Sequence, residues 1–282
     1  MVKVQPKQLR RYAILGHPVS HSLSPKFHNA VFQQLGLKDH HYDFYDCPPE
    51  RLEAALRELR EGKYQGFSVT IPHKQAVMKF CDELSDRAKR VGAVNTLIRK
   101  NDGKIFGDNT DYVGVEKSLE EGMGRRNAPS RNGGRVPTAH YTARHMALVL
   151  GSGGAAKAVI AVLRDQGMTV TVASRSKQAD VKTYDELNPD GDYELIVNTT
   201  PVGMVGNEGL ILTDPRWYRK DRIYFDVVYT PRITPFLERA RDAGAKIITG
   251  DRMFFWQAVG QAQLFTGSNA LPEPVLEKMK IL

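Results

Sequence analysis

The feature that most constrains the fold of this chain is a repeated alternation of strand-like and helix-like segments. The apolar run YAILG, for example, is followed by a segment in which Phe27, Ala30, Val31 and Leu35 recur at helical spacing. The same reading predicts a helix over KQAVMKFCDEL, whereas VGAVNTLIRKNDGKIFGDNTD, with the turn KNDGK between two short runs, predicts a β-hairpin. Alternation of this kind is typical of an α/β protein with parallel sheets covered by helices.

Two alternating series are separated by a polar, arginine-rich segment at about 123–145. It contains Arg125, Arg126, Arg131, Arg135 and Arg144 but no acidic residue, so it carries most of the net charge of +8. A solvated loop explains such a segment better than a specific anion-binding arm does, and nucleic-acid binding has little support. We expect one α/β domain over 1–112, completed by the C-terminal helical segment 251–282, and a second over 113–250.

Several other classes of protein are disfavoured by what the sequence lacks. No apolar stretch is long enough for a membrane span, and the first residues do not have the pattern of a signal peptide. Cys47 and Cys81 have no CxxC partner, and His17 and His21 have no accompanying carboxylate or cysteine pattern, so no disulfide scaffold or metal site is expected. We expect a cytoplasmic protein, a monomer or a homodimer, that binds neither nucleic acid nor membrane.

A glycine-rich turn lies between a strand and a helix of the second series. In LVLGSGGAAKAV, Gly151, Gly153 and Ala156 form the pattern G-x-G-x-x-A. Glycines allow a pyrophosphate to approach the backbone, and the following helix N-terminus offers free N–H groups to it. The alternative is a tight turn with no ligand, but the strand and helix on either side favour a dinucleotide site.

The next strand indicates which dinucleotide is bound. Enzymes that use NAD usually have an acidic residue at the end of this strand, which binds the ribose 2′-hydroxyl. Here the strand ends with Ser174, Arg175, Ser176 and Lys177. Two cations and two hydroxyls suit a 2′-phosphate, so NADP is predicted, although Arg175 and Lys177 are also compatible with plain surface charges.

Polar residues of the first series gather where strands are expected to end, which is where open α/β sheets bind ligands. They are Ser22, Ser24, Thr70, Lys74, Asn95 and Asp111. Each one alone has an ordinary explanation as a helix cap, a turn residue or a solvated charge. Their joint occurrence favours a binding site.

These residues lie in motifs that closely resemble those of the shikimate dehydrogenase family. The motifs are GHPVSHSLSP, GFSVTIPHK, GAVNTL, GDNTDYVG, VLGSGGAAKA, NTTPVGM, FDVVYTPRITPF and GDRMFFWQA, in the family's order. The resemblance implies a substrate domain, a Rossmann-type doubly wound NADP-binding domain, and an active site in the cleft between them. It also implies reversible, NADPH-dependent reduction of 3-dehydroshikimate to shikimate, a small-molecule substrate of aromatic amino-acid biosynthesis.

The resemblance further implies a role for each matching residue. Lys74 and Asp111 would be the catalytic pair. The substrate would be bound through its carboxylate by Ser22 and Ser24, assisted by Tyr229, and through its ring hydroxyls by Thr70, Asn95 and Gln257. The cofactor would contact Gly151, Gly153, Gly154, Ala156, Ser174, Arg175, Ser176, Lys177, Thr199 and Met253.

The sequence departs from the family pattern at a few places. The family often has Asn-Arg-Thr where Ser174, Arg175 and Ser176 stand, and Arg252 occupies a position that is commonly glycine, next to the expected nicotinamide. The linker before the glycine turn is longer than usual. Two other readings stay open: an enzyme that also or instead uses quinate, and a non-catalytic sensor, which would be expected to lack Lys74 or Asp111.

Overall fold

The computed structural model describes residues 9–123, 145–268 and 271. Its chain divides into two compact units, of which the first contains the residues up to Thr110 together with those from Gln257 onward, and the second contains Asp111–Trp256. The arginine-rich segment, from 124 to 144, lies outside the described residues. Each unit has its own six-stranded sheet.

Within its described residues, the first unit contains six strands and three α-helices of its own. The strands are β1 (Arg10–Gly16), β2 (His40–Asp46), β3 (Gly66–Val69), β4 (Glu83–Leu84), β5 (Thr96–Arg99) and β6 (Ile105–Asp108). The helices are α1 (Ser24–Gln34), α2 (Leu52–Arg60) and α3 (Asp86–Val91). The strand order is β2-β1-β3-β5-β6-β4. β2 and β3 therefore lie on opposite sides of β1, and the topological switch point of this sheet is between β1 and β3.

This sheet is mixed: it combines the parallel strands expected from the alternation with the antiparallel pair expected from the predicted hairpin. β1 pairs in parallel with both β2 and β3, but β5 is antiparallel to β3 and to β6. The β5–β6 pair is the predicted hairpin, closed by Lys100 and Lys104. The helix predicted over KQAVMKFCDEL is wrong: Ala76–Phe80 forms a 3-10 helix, and the short strand β4 follows it.

The second unit has an entirely parallel sheet. Its strands are β7 (Met146–Leu150), β8 (Thr169–Ser174), β9 (Val181–Thr183), β10 (Tyr193–Asn198), β11 (Ile223–Asp226) and β12 (Lys246–Ile248). Its helices are α4 (Asp111–Met123), α5 (Gly154–Asp165) and α6 (Pro235–Asp242), and α7 (Gly250–Thr266) begins in this unit and ends in the first. The order β12-β11-β10-β7-β8-β9 places the topological switch between β7 and β10.

Both faces of the second sheet are buried. Along β7, Ala147 and Val149 pack into one hydrophobic cluster, while Leu148 and Leu150 pack into the cluster on the opposite face. Strands buried on both faces read as continuous apolar runs, which explains the sequence HMALVLG. Among the described residues, no helix has the length and apolar character needed to span a membrane.

Candidate active site

The turn after β1 brings together the two serines predicted to bind a carboxylate. The Ser22 hydroxyl donates a hydrogen bond to Oγ of Ser24 at 3.2 Å, and the backbone N–H of Ser24 donates to Oγ of Ser22 at 3.2 Å. The N-cap position of α1 is Leu23, which has no side-chain capping bond, so neither serine is the cap residue of this helix. Ser24 is buried and Ser22 is half-buried.

The segment after β3 lies on the other side of the switch point in the first sheet. The backbone N–H of Thr70 donates to the carbonyl of Leu15 at 2.9 Å, which joins this segment to the end of β1. A Cβ at Gly16 would lie 2.3 Å from Cγ2 of Thr70, so only glycine permits this approach. Open α/β sheets bind ligands at such a switch point, beyond the carboxyl ends of the strands.

Lys74 is held in this segment through its backbone. Its carbonyl oxygen accepts a hydrogen bond of 2.7 Å from the N–H of Val94, and a ring nitrogen of the neighbouring His73 lies 2.6 Å from the carbonyl oxygen of Cys47. The side chain of Lys74 is half-buried. The backbone around Lys74 is therefore held by the segments that contain Val94 and Cys47, and this fixes the position from which the Lys74 side chain extends.

Asn95 is 1% exposed, and both ends of its amide are engaged within the first unit. Its Oδ1 accepts hydrogen bonds from the N–H of Thr110 at 2.7 Å and from the hydroxyl of Thr96 at 2.8 Å, while Nδ2 donates to Oγ1 of Thr110 at 3.0 Å. Asn95 thus fixes the residue that directly precedes Asp111. Its predicted contact with a ring hydroxyl of the substrate stays a prediction.

The sequence analysis overlooked Gln261, which lies one helical turn after Gln257 on α7. Its side chain is 2% exposed and connects three elements of the first unit. Oε1 accepts a hydrogen bond from the Ser68 hydroxyl at 2.8 Å and lies 3.3 Å from Nε2 of His28, while Nε2 donates to the carbonyl of Asn95 at 3.1 Å. The i, i+4 spacing of the two glutamines was the signal that could have found it. Gln257 itself is half-buried.

Asp111 is the first residue of α4 and belongs to the second unit. Its side chain is buried, although a carboxylate is rarely buried without a functional or structural reason. Lys74 lies in the first unit, and its predicted pairing with Asp111 stays a prediction.

The glycine turn has the geometry expected of a dinucleotide site. Gly151 follows β7 with φ of +110°, and a Cβ there would lie 2.6 Å from Oγ1 of Thr199, the residue that follows β10. Gly153 is the N-cap residue of α5 and has no atom within 4 Å of the place where a Cβ would be. Gly154 begins the helix, and Ala156 is fully buried against the sheet. The backbone N–H groups at the start of α5 are therefore approachable, and they fit a pyrophosphate.

The end of β8 presents the residues predicted to bind the 2′-phosphate. The hydroxyl of Ser174 donates to the carbonyl of Ser176 at 2.7 Å and so shapes the turn, while Arg175 is exposed. Lys177 Nζ lies 2.5 Å from a carboxylate oxygen of Glu186, and this hydrogen bond lowers the pKa of Glu186. The sequence analysis did not foresee this partner, which offsets one of the two expected cations.

A buried carboxylate connects the loops that follow β10 and β11. Asp226 accepts hydrogen bonds from Nδ2 of Asn198 at 3.0 Å, from the N–H of Val228 at 2.9 Å and from the hydroxyl of Thr234 at 2.6 Å. Burial raises the pKa of Asp226 to about 6, although these three donors lower it. Through these bonds Asp226 joins the strand end before Thr199 to the loop that carries Tyr229.

Tyr229 lies against the beginning of α7, and Met253 is in the first turn of that helix. The ring of Tyr229 packs on the ring of Phe254 with 4.8 Å between centroids, and burial raises the pKa of the Tyr229 hydroxyl. Met253 is 6% exposed and packs in a hydrophobic cluster with residues of α4 and β11. Its predicted proximity to the nicotinamide stays a prediction.

The second unit has the parallel order, the switch point and the glycine turn of a Rossmann-type nucleotide-binding domain, joined to a separate α/β unit. A family model described as the shikimate dehydrogenase substrate binding domain matches residues 14–97. The chain is 37% identical to the NADP(+) shikimate dehydrogenase of Methanopyrus kandleri, covering 95% of each chain, and 35% identical to that of Thermus thermophilus, covering 94% of each. The chain belongs to the shikimate dehydrogenase family.

Solved structures agree with this assignment. The Thermus thermophilus shikimate 5-dehydrogenase in complex with NADP(H) and shikimate has a TM-score of 0.78 and 33% identity, covering 97% of this chain and 99% of that one. A quinate dehydrogenase from Corynebacterium glutamicum, in complex with NAD, has a TM-score of 0.80 and 27% identity, covering 98% of each chain. This chain also matches 44% of the length of a bifunctional 3-dehydroquinate dehydratase/shikimate dehydrogenase of Arabidopsis thaliana, with 35% identity.

Proposed function

We propose that this protein is an NADP-dependent shikimate dehydrogenase, which reversibly reduces 3-dehydroshikimate to shikimate. The observation that carries the proposal is the hydroxyl pair of Ser22 and Ser24 at the switch point of the first sheet, in a family whose relatives carry this name. Two hydroxyls two residues apart in the sequence give a carboxylate two neutral donors. Thr70, Asn95, Tyr229 and Gln257 are proposed to complete substrate binding.

Lys74 and Asp111 are the proposed catalytic residues. When bound, NADPH would supply the hydride, and negative charge would develop on the oxygen of the substrate carbonyl. The ammonium group of Lys74 can stabilise that charge and donate a proton to the oxygen. The carboxylate of Asp111 can orient the ammonium group and take part in the proton transfer, so the two groups would titrate as a pair.

The cofactor is proposed to bind along the carboxyl ends of the second sheet. The backbone of Gly151, Gly153 and Gly154, with Ala156 behind it, suits the pyrophosphate, and Thr199 lies beside the turn. Arg175 is the main candidate for the 2′-phosphate, with the hydroxyls of Ser174 and Ser176. Lys177 would contribute less, because it already forms an ion pair with Glu186.

We propose a cytoplasmic location because both described cysteines are free thiols. Cys47 and Cys81 are free thiols, and burial raises the pKa of each to about 11. Thiols of this kind are inert and are compatible with a reducing compartment.

Quinate is the second candidate substrate, and the likeness to a quinate dehydrogenase is the observation that favours it. Initial rates of NADPH or NADH formation should be measured with shikimate and with quinate, each with NADP and with NAD. The proposal expects the highest kcat/KM for shikimate with NADP. A higher value for quinate would replace the proposed substrate, and no turnover in any of the four combinations would leave a non-catalytic role.

A further inference from the structure

A buried carboxylate at the end of β11 has no role in the proposed chemistry. Asp226 is fully buried, and burial raises the pKa of its carboxyl group to about 6. The groups that donate hydrogen bonds to it, from Asn198, Val228 and Thr234, are all neutral. Burial of a carboxylate without a paired cation is costly, so the arrangement that these hydrogen bonds hold is expected to matter.

The first of these hydrogen bonds reaches the loop after β10. Nδ2 of Asn198 donates to Oδ1 of Asp226 at 3.0 Å, while Oδ1 of Asn198 accepts from the N–H and the hydroxyl of Thr200 at 3.0 and 2.8 Å. Between these residues, the hydroxyl of Thr199 donates to the carbonyl of Leu150 at 2.6 Å, at the end of β7. Asp226 therefore holds the loop that lies beside the glycine turn.

The other two hydrogen bonds close the loop after β11. Asp226 accepts from the N–H of Val228 at 2.9 Å, at the beginning of this loop, and from the hydroxyl of Thr234 at 2.6 Å, at its end. The beginning of α7 lies directly against the loop, because a Cβ at Gly250 would be only 2.6 Å from the carbonyl oxygen of Val227. Asp226 thus also holds the loop on which the first turn of α7 rests, and that turn carries the residue predicted to lie near the nicotinamide.

These two loops lie on the opposite side of the switch point from the predicted site of the 2′-phosphate. The glycine turn follows β7 and Arg175 follows β8, whereas Asn198 and Asp226 are the last residues of β10 and β11. A dinucleotide binds across the carboxyl edge of such a sheet, with one mononucleotide on each side of the switch point. The adenosine half is therefore expected over β7 and β8, and the nicotinamide half over β10 and β11.

We propose that Asp226 is a positioning residue for the nicotinamide half of NADP: its hydrogen bonds hold the loops after β10 and β11 in the arrangement to which that half binds. A preformed site binds its ligand more tightly, because no loop has to be ordered when the ligand arrives. Asp226 itself is buried and would act only through these loops. The inference rests on the proposed function, because it takes NADP as the cofactor.

Two probes separate the halves of the cofactor: NADP, and adenosine 2′,5′-bisphosphate, which has the adenine and the 2′-phosphate but no nicotinamide. Their dissociation constants are measured by calorimetry at about pH 8, where the carboxyl group is ionised. Asp226→Ala should weaken the binding of NADP about tenfold or more, and that of the bisphosphate less than about twofold. Asp226→Asn should stay within about threefold for both probes, because its oxygen can still accept from Asn198 and Val228 and its N–H can donate to Thr234.

The matched control is Tyr224, which lies on the same strand. Tyr224 is fully buried, and its hydroxyl donates to the carbonyl of Trp217 at 2.6 Å and accepts from the N–H of Arg219 at 2.9 Å. Both partners precede β11, so these bonds hold neither of the two loops. Tyr224→Phe should melt about 2–4 °C lower but bind both probes normally.

A milder variant keeps the test decisive if Asp226→Ala does not fold. Thr234→Val preserves the shape of the side chain and removes one of the three donors to Asp226. It should weaken the binding of NADP about threefold and leave the binding of the bisphosphate unchanged.

Several results would overturn the inference. They are normal NADP binding in folded Asp226→Ala or, if that variant does not fold, in Thr234→Val; equal losses of both probes; and a loss in Asp226→Asn as large as in Asp226→Ala. Weakened NADP binding in Tyr224→Phe would also overturn it, because any hydrogen bond lost around β11 would then have the same effect. If the unmodified protein binds neither probe, it is the proposed function that fails.

Discussion

The guanidinium group of Arg252 forms a two-point ion pair with the carboxylate of Glu121, with Nε and Nη2 each 2.7 Å from an oxygen. The same carboxylate accepts a hydrogen bond of 2.9 Å from Nε1 of Trp256, and the guanidinium lies over the ring of Phe255 at 5.3 Å. Arg252 stands where the family commonly has glycine, next to the expected nicotinamide. Through these contacts Arg252 joins the start of α7 to α4.

Glu121→Ala should therefore destabilise the protein through two lost partners. Removing the carboxylate leaves Arg252 and the indole N–H of Trp256 without their acceptor, and we expect a loss of about 1 kcal/mol, since both side chains of the ion pair are partly exposed. Thermal unfolding should show a decrease of about 2–4 °C. Glu120→Ala is the control, because it removes only the i, i+3 pair with Lys117 and should shift the melting temperature much less.

Lys74→Ala should abolish most of the turnover and leave substrate binding nearly intact. Loss of the group that stabilises and protonates the developing oxyanion is expected to lower kcat by about 10³-fold or more. The shikimate affinity, measured by calorimetry, should change by less than about threefold, because binding depends on other residues. Lys79→Ala, an exposed lysine of the same segment, should be unchanged. Near-normal turnover of Lys74→Ala would remove this residue from the mechanism.

The joint action of Lys74 and Asp111 can be tested without knowing their distance. Asp111→Asn should also lower kcat strongly, by about 10²-fold, while preserving the shape of the side chain. If the two groups act as a unit, the double variant should be about as slow as Lys74→Ala alone. If the decrease in kcat of the double variant equals the product of the two single decreases, the residues act independently.

Arg175 should favour the binding of NADP, whereas Glu186 should oppose it. Arg175→Ala should weaken the binding of NADPH about tenfold or more and the binding of NADH only slightly, because only NADPH has a 2′-phosphate for the guanidinium to bind. Glu186→Gln should strengthen the binding of NADPH, since the substitution releases Lys177 from its ion pair. The cofactor dissociation constants can be measured by fluorescence, with Arg164→Ala, at the far end of α5, as the control. Equal losses of both cofactors in Arg175→Ala would refute the assignment.

Local features of the fold could be read from the sequence. The hairpin of β5 and β6 was predicted because its turn is specified locally: Asp102 accepts a hydrogen bond from the N–H of Lys104, and Gly103 has φ of +84°. The segment around Ala76–Phe80 could not be predicted in this way. Its apolar spacing favours a helix. The chain is extended instead by the long-range pairing of β4 with β6 and by the hydrogen bond that the N–H of Ile105 donates to the carboxylate of Asp82.

The candidate site shows the same division. The closeness of Ser22 and Ser24, two residues apart on one turn, was predictable because it is local. The partners Glu186 and Glu121 were not, since an exposed glutamate carries no sequence signal of the cation that it will meet after folding.

The stability of the protein should depend on pH through Asp226. The pKa of this carboxyl rises from an ordinary value of 3.8 to about 6 in the folded protein, because burial disfavours its charge. Between these two values the folded state holds a proton that the unfolded state has released, so stability falls as the pH rises from about 4 to about 6. The shift corresponds to at most about 3 kcal/mol.

Asp226→Asn removes this titration, and the difference between the two proteins is the measurement. The variant loses one acceptor oxygen, so its absolute stability also changes, but that change does not depend on pH in this range. Relative to Asp226→Asn, the unmodified protein should therefore be more stable at pH 4 than at pH 7, in denaturant unfolding at both values. A difference that stays constant with pH would mean that the hydrogen bonds from Asn198, Val228 and Thr234 outweigh burial and keep Asp226 ionised.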